Sequence, residues 1–266
     1  MRFRLLPMFA LTLAALAAGC GDDFASRSEI LDYRVLGLEA DPPEVGPGDS
    51  VRLTAHDLDP AGRPIEYAWT LCLYSVGPLV DFACADPALS FGLAGGATVE
   101  LDLADYDLRG FAEALGGVPR ADGTVATLTD GFDVFVVLES GPSAGPRTRS
   151  VKRVRVRDGG EPNRNPTAAL RVSAERAAPG ATVTLTVEPG PDARETFVDN
   201  EGGRATEELV YAWYSTGGAL ASALTYGDDT EVELELPTAR GPVDVVLAVR
   251  DGRGGLTVQR RRIEVE

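Results

Sequence analysis

The chain has 266 residues, of which 44% are hydrophobic, and it carries 41 acidic against 25 basic side chains, a formal net charge of −16. The apolar content is enough to build the core of one large domain or of two modest ones. The acidic balance excludes nucleic acid as a partner, because nucleic-acid binding needs clustered positive charge.

The first 19 residues have the pattern of a secretory signal peptide. Arg2 and Arg4 form a short positive region, and Leu5–Ala18 is an apolar segment interrupted only by Pro7 and Thr12. This segment is shorter than the roughly 20 apolar residues that span a bilayer, and a short basic stretch followed by such a segment is typical of an export signal. Loss of the two arginines with the signal would lower the net charge from −16 to −18.

The end of this segment, Leu16-Ala17-Ala18-Gly19-Cys20, resembles the lipobox of bacterial lipoproteins. The resemblance implies cleavage before Cys20, a diacylglyceryl group on its thiol and acylation of the new amine. Ala17 stands where the common lipobox has leucine, and Leu16 lies one residue earlier. The alternative interpretation is a plain signal peptide that is cleaved near Ala18, with an incidental cysteine.

A lipid on Cys20 would make residues 20–29 a lipidated tether, since more than one acyl chain gives lasting membrane attachment. The segment Gly21–Glu29 spans at most about 30 Å, so we expect the first domain to lie near the membrane. Gly21, rather than aspartate, follows the cysteine. In enteric bacteria an aspartate at this position retains lipoproteins in the inner membrane, so by analogy Gly21 favours the outer membrane.

The other two cysteines are Cys72 and Cys84. Export places them in an oxidising compartment, where a closely spaced pair usually forms a disulfide. Structural zinc needs four ligands, and no histidine lies near this pair. The sequence therefore predicts a disulfide that contributes about 3 kcal/mol.

An internal repeat divides the remaining chain in two. Blocks recur in the same order in each half, which indicates a duplication. The matched pairs are Pro47–Thr54 with Pro179–Thr186, Ile65–Trp69 with Leu209–Trp213, Thr98–Leu103 with Glu231–Pro237, Phe132–Glu139 with Val243–Asp251, and Lys152–Arg157 with Arg261–Glu266. We predict domains at 30–157 and 167–266, joined by a semi-stiff, extended linker at 158–166.

Each block predicts a strand, because apolar and polar residues alternate within it. Short strands separated by Gly, Pro and Asp turns predict an all-β chain of two tandem immunoglobulin-like antiparallel β-sandwiches. Trp69 and Trp213 lie where such sandwiches bury a tryptophan against the opposite sheet. We expect both to pack in the cores; carbohydrate stacking is the alternative.

The blocks resemble the PKD-type and related immunoglobulin-like repeats of exported bacterial proteins. The second half has the G-x-x-V-x-L strand at Gly180–Leu185, the Y-x-W strand at Tyr211–Trp213 and the V-x-D-x-x-G turn at Val249–Gly254. The first half has Tyr67–Trp69 but Glu139-Ser140-Gly141 at the late turn, and neither half has the F-G-D-G that usually follows the tryptophan. The resemblance implies a PKD-like fold and no chemistry.

The two halves differ by three insertions. Residues 72–96 form a long loop that holds both cysteines, and residues 189–207 form a polar excursion. Residues 105–117 predict a short helix in the first domain that ends at a Gly116-Gly117 cap; its helically spaced apolar residues are Leu108, Phe111, Ala112 and Leu115. Because loops on a rigid scaffold often carry binding groups, recognition is expected in these insertions. The alternative for the 72–96 loop is that it covers a sheet edge.

The residue pattern predicts no catalytic, cofactor-binding or metal site. His56 is the only histidine, and it is expected in an exposed turn beside Asp57 and Asp59. A structural calcium ion is the open alternative, because calcium takes six to eight oxygens from acidic turns; the candidates are Asp57, Asp59, Asp199, Asn200, Glu201, Asp228, Asp229 and Asp251.

The stripe Arg153, Arg155 and Arg157 is expected to be a solvated strand face, with contact to anionic headgroups as the alternative. Two function hypotheses follow. The first is a non-enzymatic envelope lipoprotein that binds or spaces other molecules, with an envelope protein or polysaccharide as partner. The second is a carbohydrate-directed protein, either a sugar-binding module or a weak hydrolase, which exposed coplanar aromatic rings would favour.

Overall fold

The computed structural model describes residues 26–75, 77–114, 116–119, 123–198 and 203–266. The predicted signal peptide and Cys20 therefore lie outside the described residues. Within these ranges the regular structure is almost all β-strand, with one short α-helix, α1 (Leu108–Ala114), and three short 3-10 turns at Pro78–Val80, Pro87–Leu89 and Leu103–Asp105.

The first sandwich consists of a three-stranded sheet with the order β1-β3-β6 and a five-stranded sheet with the order β2-β10-β9-β4-β5. A short two-stranded hairpin, β7-β8, follows α1 and precedes β9 in the chain. The strands are β1 (Arg34–Asp41), β2 (Glu44–Val45), β3 (Ser50–Leu58), β4 (Ile65–Cys72), β5 (Ser90–Leu93), β6 (Thr98–Asp102), β7 (Val118–Pro119), β8 (Val125–Ala126), β9 (Phe132–Pro142) and β10 (Thr148–Val156).

The second sandwich has a four-stranded sheet with the order β11-β13-β19-β17 and a five-stranded sheet with the order β12-β21-β20-β16-β18. A separate short hairpin, β14-β15, is inserted between β13 and β16. The strands are β11 (Ala168–Val172), β12 (Arg176–Ala177), β13 (Thr182–Pro189), β14 (Thr196–Val198), β15 (Arg204–Thr206), β16 (Val210–Ser215), β17 (Ala219–Leu220), β18 (Leu224–Tyr226), β19 (Glu231–Glu235), β20 (Gly241–Arg250) and β21 (Leu256–Val265).

The strand order shows that the sequence repeat is a structural repeat. In each sandwich the first long strand pairs antiparallel in one sheet, and the short next strand crosses to the other sheet. There it pairs parallel with the last strand, β2 with β10 and β12 with β21. The predicted fold, two tandem immunoglobulin-like sandwiches with a short inserted helix, is confirmed.

Alternation in the sequence becomes alternation of burial. In β3 the side chains of Val51, Leu53 and Ala55 are buried, while the residues between them are exposed or half-buried. Trp69 and Trp213 are 2% and 0% exposed and lie in the two separate cores. Their indole N–H groups donate to Gly96 O (2.9 Å) and Thr225 Oγ1 (3.1 Å), so each ring has its polar atom satisfied inside a core.

The helix α1 completes the first core. Leu108 and Ala112 are buried there, and Phe111 packs against the same cluster. Gly116 and Gly117 follow the helix with φ values of +64° and +106°, as a glycine cap requires, and Gly117 N donates to Ala112 O. The fourth predicted apolar position, Leu115, lies outside the described residues. None of the helices in the described ranges combines the length and hydropathy needed to cross a bilayer.

Candidate functional site

The disulfide loop lies on the outer face of the first sandwich. Cys72 and Cys84 form a disulfide with their Cα atoms 5.5 Å apart. Ser75 and Cys84 also form an isolated antiparallel bridge, and Ala85 N donates to Tyr74 O (3.0 Å). Because Cys72 has the opposite strand parity to the buried Trp69, the bridge fixes the loop over the sheet rather than joining the two sheets.

The tip of this loop exposes apolar side chains. Leu79 is 96% exposed and Val80 is 43% exposed. Directly after them, Asp81 and Phe82 adopt left-handed φ values of +52° and +53°. Such a backbone conformation costs roughly 1–2 kcal/mol for each non-glycine residue. The disulfide-closed loop therefore keeps its tip exposed in spite of this conformational energy.

Phe82 connects the loop to its surroundings. Its ring lies on Phe135 of β9 with ring centroids 5.6 Å apart. The neighbouring Asp81 carboxylate lies 3.6 Å from Arg149 Nε. The Phe82 side chain also borders a cavity of about 210 Å³ under the loop and a larger one between the two sandwiches. The loop therefore covers part of the sheet face and still presents a free apolar tip.

The two sandwiches pack directly against each other. Ile30, Leu36 and Leu58 of the first form one buried cluster with Val246 of the second. Leu36 is the extra residue of a β-bulge, because the β1–β3 register passes from Val35 opposite Asp57 to Gly37 opposite His56. Bulges redirect a side chain, and here Leu36 points into the second sandwich rather than into its own core.

The residues before β1 also contact the second sandwich. Ile30 N donates to Ser215 O (2.8 Å), and Ser215 N donates to Ser28 O (3.0 Å). Ser28 and Glu29, the last residues of the predicted 20–29 tether, are therefore held against the second sandwich. The backbone hydrogen bonds to β16 fix this part of the chain.

The predicted linker, residues 158–166, is likewise bonded to both sandwiches. Asn163 is 1% exposed. Its backbone N lies 3.3 Å from Glu44 Oε2 of the first sandwich, and its Nδ2 donates to Asp251 Oδ2 (2.8 Å) of the second. Asn165 Nδ2 donates to Ala40 O (2.8 Å). A buried polar residue with partners on both sides holds the two units in one arrangement.

A buried carboxylate organises the turn between β20 and β21. Asp251 is 3% exposed, and its Oδ1 accepts from the backbone N–H groups of Arg253 (2.7 Å), Gly254 (3.0 Å) and Gly255 (2.9 Å). Arg253 in turn donates to Glu207 Oε1 (2.8 Å) and lies 4.5 Å from the ring centroid of Phe197 in the β14-β15 hairpin. The polar excursion at 189–207 thus supports this turn.

This turn forms one wall of an interdomain cleft of about 450 Å³. We use "interdomain cleft" for the space lined by Val35, Leu36, Gly37, Leu38, Phe82, Ser150, Val151, Lys152, Arg153, Arg250, Gly252, Gly254, Gly255 and Leu256. Its volume falls within the range of about 300–1,000 Å³ that is usual for ligand pockets. The glycines allow a close approach: a Cβ atom on Gly37 would lie 2.6 Å from Leu256 Cδ2.

Lys152 is the only lysine of the chain and lies in this cleft. It is 8% exposed, and its Nζ donates to Gly254 O across the domain boundary. Burial lowers the pKa of Lys152 to about 8, although the Asp251 and Glu39 carboxylates act in the opposite direction. Sequence reasoning missed this residue. The sequence did contain a signal for it: Lys152 alternates in step with the buried Val154 and Val156, which places its charge on the inward face of β10.

The remaining sequence candidates are engaged within the fold. His56 is inside β3 rather than in a turn, which corrects the expectation, and its Nε2 lies 2.5 Å from Glu39 Oε2. The arginine stripe is paired rather than simply solvated: Arg153 and Arg155 contact Asp133, and Arg157 Nε lies 2.5 Å from Glu44 Oε1.

The acidic candidates for calcium do not converge. Asp57 accepts from the hydroxyls of Tyr33 (3.0 Å) and Tyr67 (2.9 Å), and burial raises the pKa of Tyr33 to about 12. Asp59 pairs with Arg63, and Asp228 pairs with Arg194. Within the part of the chain that the structure describes, no group of three or more acidic, histidine or cysteine side chains could hold a metal ion. Residues 199–201 lie outside that part.

No protein-family model and no curated protein sequence matches the chain. Among solved structures, it is similar to fibronectin(III)-like modules of Clostridium thermocellum CbhA (11% identity, 88% of this chain and 94% of that one, TM-score 0.27). It is also similar to the Yersinia pseudotuberculosis adhesin InvE (12%, 86% and 58%, TM-score 0.26) and to the D00-D0 domain of intimin (9%, 88% and 99%, TM-score 0.27). The assignment of the fold to the immunoglobulin-like class rests on the strand order described above.

Proposed function

We propose that the chain is a non-enzymatic bacterial envelope lipoprotein that binds an envelope partner through its disulfide loop. The observation that carries this is the pairing of an exposed apolar tip, Leu79 and Val80, with a disulfide and a locally strained backbone that hold it in one shape. A prearranged loop loses less conformational entropy on binding. Large apolar side chains exposed in this way are favoured where a partner covers them.

The proposed attachment is through a lipid on Cys20, with the outer membrane favoured. The contacts of Ser28 and Ile30 with Ser215 add a structural reason to expect both sandwiches close to the anchor. Because the sandwiches pack on each other, the chain is shorter than two domains joined by a free linker. This arrangement favours a binding role over a spacer role.

Anchoring is tested by fractionation. Cys20→Ser should convert a detergent-extracted protein into a soluble exported one, or should block its processing. Unaltered protein that is already soluble after export would contradict lipid attachment, whatever the outcome for the loop.

The loop is tested by site-specific photo-crosslinking in intact cells. A photoreactive residue at position 79 should give a discrete adduct, and that adduct should disappear when Val80→Ser is added to the same chain. The matched control is a probe at position 198, since Val198 is 67% exposed in the other sandwich. Equal adducts from positions 79 and 198, or none from position 79, would place recognition elsewhere.

The carbohydrate-directed alternative depends on exposed, coplanar aromatic rings. Among the aromatic side chains of the described ranges, Tyr226, at 51% exposure, is the large exposed one. A single ring does not form a stacking platform. The structure therefore supplies no observation that favours this second function.

A further inference from the structure

One strand edge in the first sandwich has no partner along most of its length. Strand β10 pairs with β9 along Thr148–Val156, but on its other side it meets β2 only at Arg155 and Val156. The sheet order places β1 in the opposite sheet, so β1 does not extend this ladder. The edge of β10 from Thr148 to Arg153 is thus unpaired by any described strand.

The ladder alternation shows which backbone groups face outward from this edge. Arg157 N donates to Val45 O of β2 (2.9 Å), so odd-numbered residues direct their backbone N–H and C=O groups away from β9. Val151 and Arg153 therefore present theirs at the free edge, and both residues line the interdomain cleft. An open edge of this kind is a template for pairing with another chain.

Two cationic side chains of the cleft bond backbone carbonyls rather than carboxylates, although the Asp251 and Glu39 carboxylates lie near Lys152. Lys152 bonds a backbone carbonyl, and Arg250 donates through Nη2 to Leu36 O (3.0 Å). Neither side chain forms an ion pair with a carboxylate of the described residues. Each keeps further N–H donors, which form stronger hydrogen bonds with an ionised acceptor than with a neutral one. The cleft therefore offers two charged donors to an anionic ligand in a chain whose net charge is −16.

We propose that the interdomain cleft binds an extended acidic peptide segment that adds a short strand to the free edge of β10. Its backbone would bond Val151 and Arg153, and alternate carboxylates would face Lys152 and Arg250. The side chains between them would face the opposite way, toward the apolar surface of Val151 and Phe82. Strand addition of this type takes affinity from main-chain hydrogen bonds and specificity from alternate side chains.

This site is separate from the apolar loop tip, although Phe82 borders the cleft and belongs to the loop. The peptide is favoured over an acidic polysaccharide because only a peptide can use the backbone donors and acceptors of the strand edge in a continuous ladder. An acidic sugar would use the cations alone. The two cases therefore predict different responses to changes in the ligand backbone.

The first experiment measures binding of a fluorescent hexapeptide of alternating valine and glutamate to the full chain in detergent, by fluorescence anisotropy. We expect saturable binding that weakens at least tenfold in Lys152→Gln and in Arg250→Gln, and no binding of the valine–lysine version. Arg240→Gln is the matched control, since Arg240 is an exposed arginine outside the cleft. Leu79→Ser with Val80→Ser should bind the peptide as the unaltered protein does, which separates this proposal from the loop proposal.

The second experiment changes the peptide and leaves the protein intact, so that folding of a variant is not an issue. Two peptides carry N-methyl groups on alternate residues, one set on the valines and the other on the glutamates. In a strand added to β10, only every second peptide N–H group bonds β10. Methylation of the N–H groups that face away should leave the affinity unchanged, and methylation of the other set should lower it at least tenfold. Equal binding of both sets, or an oligogalacturonate that competes at the same charge concentration, would overturn strand addition.

Discussion

Asp133 and Asp244 occupy equivalent positions in the two sandwiches. Asp133 lies opposite Arg155 in the β9–β10 ladder, and Asp244 lies opposite Arg262 in the β20–β21 ladder. Each aspartate also contacts the arginine two residues earlier, Arg153 or Arg260. The duplication has therefore kept an Arg–Asp–Arg cluster on the outer face of each sandwich, but the cluster is tighter in the second.

The difference in geometry predicts unequal mutants. Asp244 is 2.7 Å from Arg260 and 3.0 Å from Arg262, whereas Asp133 is 3.6 and 3.5 Å from its arginines. We expect Asp244→Asn to lower the free energy of unfolding by about 1–3 kcal/mol and Asp133→Asn to lower it less. Urea denaturation measures both. A larger loss of unfolding free energy in Asp133→Asn than in Asp244→Asn would contradict this prediction.

The same aspartate gives a prediction in acid. Burial acts to raise the pKa of Asp244, but the hydrogen bonds from Arg260 and Arg262 outweigh it and lower the pKa below its ordinary value. A carboxylate with a lowered folded-state pKa contributes stability above its unfolded-state pKa of 3.8 and loses it as the pH falls further. The stability gap between the unaltered protein and Asp244→Asn should therefore close below about pH 4.

Lys152 should make stability depend on pH in the alkaline range. Its pKa falls from 10.5 to about 8 on folding, so the unfolded chain binds more protons between these values. Stability due to this residue therefore rises with pH from about 8 to 10.5. Relative to Lys152→Met, the unaltered protein should gain up to about 3 kcal/mol across that window. A gap that is constant with pH would show that the ammonium is solvated.

The Asp251 turn is expected to be the most sensitive polar position. Asp251→Ala leaves the backbone N–H groups of Arg253, Gly254 and Gly255 and the amide of Asn163 without their acceptor, and the Gly255 and Asn163 groups are buried. Each buried unsatisfied group costs about 1–3 kcal/mol, so we expect a loss of more than about 2 kcal/mol in urea denaturation. Asp229→Ala, at an exposed acidic turn residue, is the matched control and should change stability by less than about 0.5 kcal/mol.

The packing of the two sandwiches is tested at the bulge. Leu36→Asp places a charge in the cluster with Ile30, Leu58 and Val246, whereas Leu31→Asp changes a neighbouring leucine that is 63% exposed. We expect the first variant to increase the radius of gyration in small-angle scattering and to expose residues 158–166 to proteolysis. The second should match the unaltered protein. Identical scattering from the unaltered protein and both variants would mean that this apolar cluster does not hold the two sandwiches together.

The sequence by itself determined the two sandwiches, their repeat, the inserted helix and the disulfide. These features follow from patterns within short stretches, such as the alternation in Val51–Ala55, the helical spacing of Leu108 and Ala112, and the glycines that cap that helix. Local backbone geometry links such patterns directly to strands, helices and turns. A close cysteine pair in an oxidising compartment commonly forms a disulfide.

Only the tertiary structure decided how the sandwiches meet and which charged side chains share the interdomain cleft. Leu36 alternates like a core residue of β1, and a one-residue bulge redirects it to the second sandwich. Asn163 occupies a stretch that is typical of a linker, yet it bonds Glu44 and Asp251, which are 119 and 88 residues away. Lys152 and Arg250 belong to different sandwiches, and no periodicity relates them. Their shared cleft exists because two surfaces, each specified by its own local pattern, pack through contacts that no local pattern encodes.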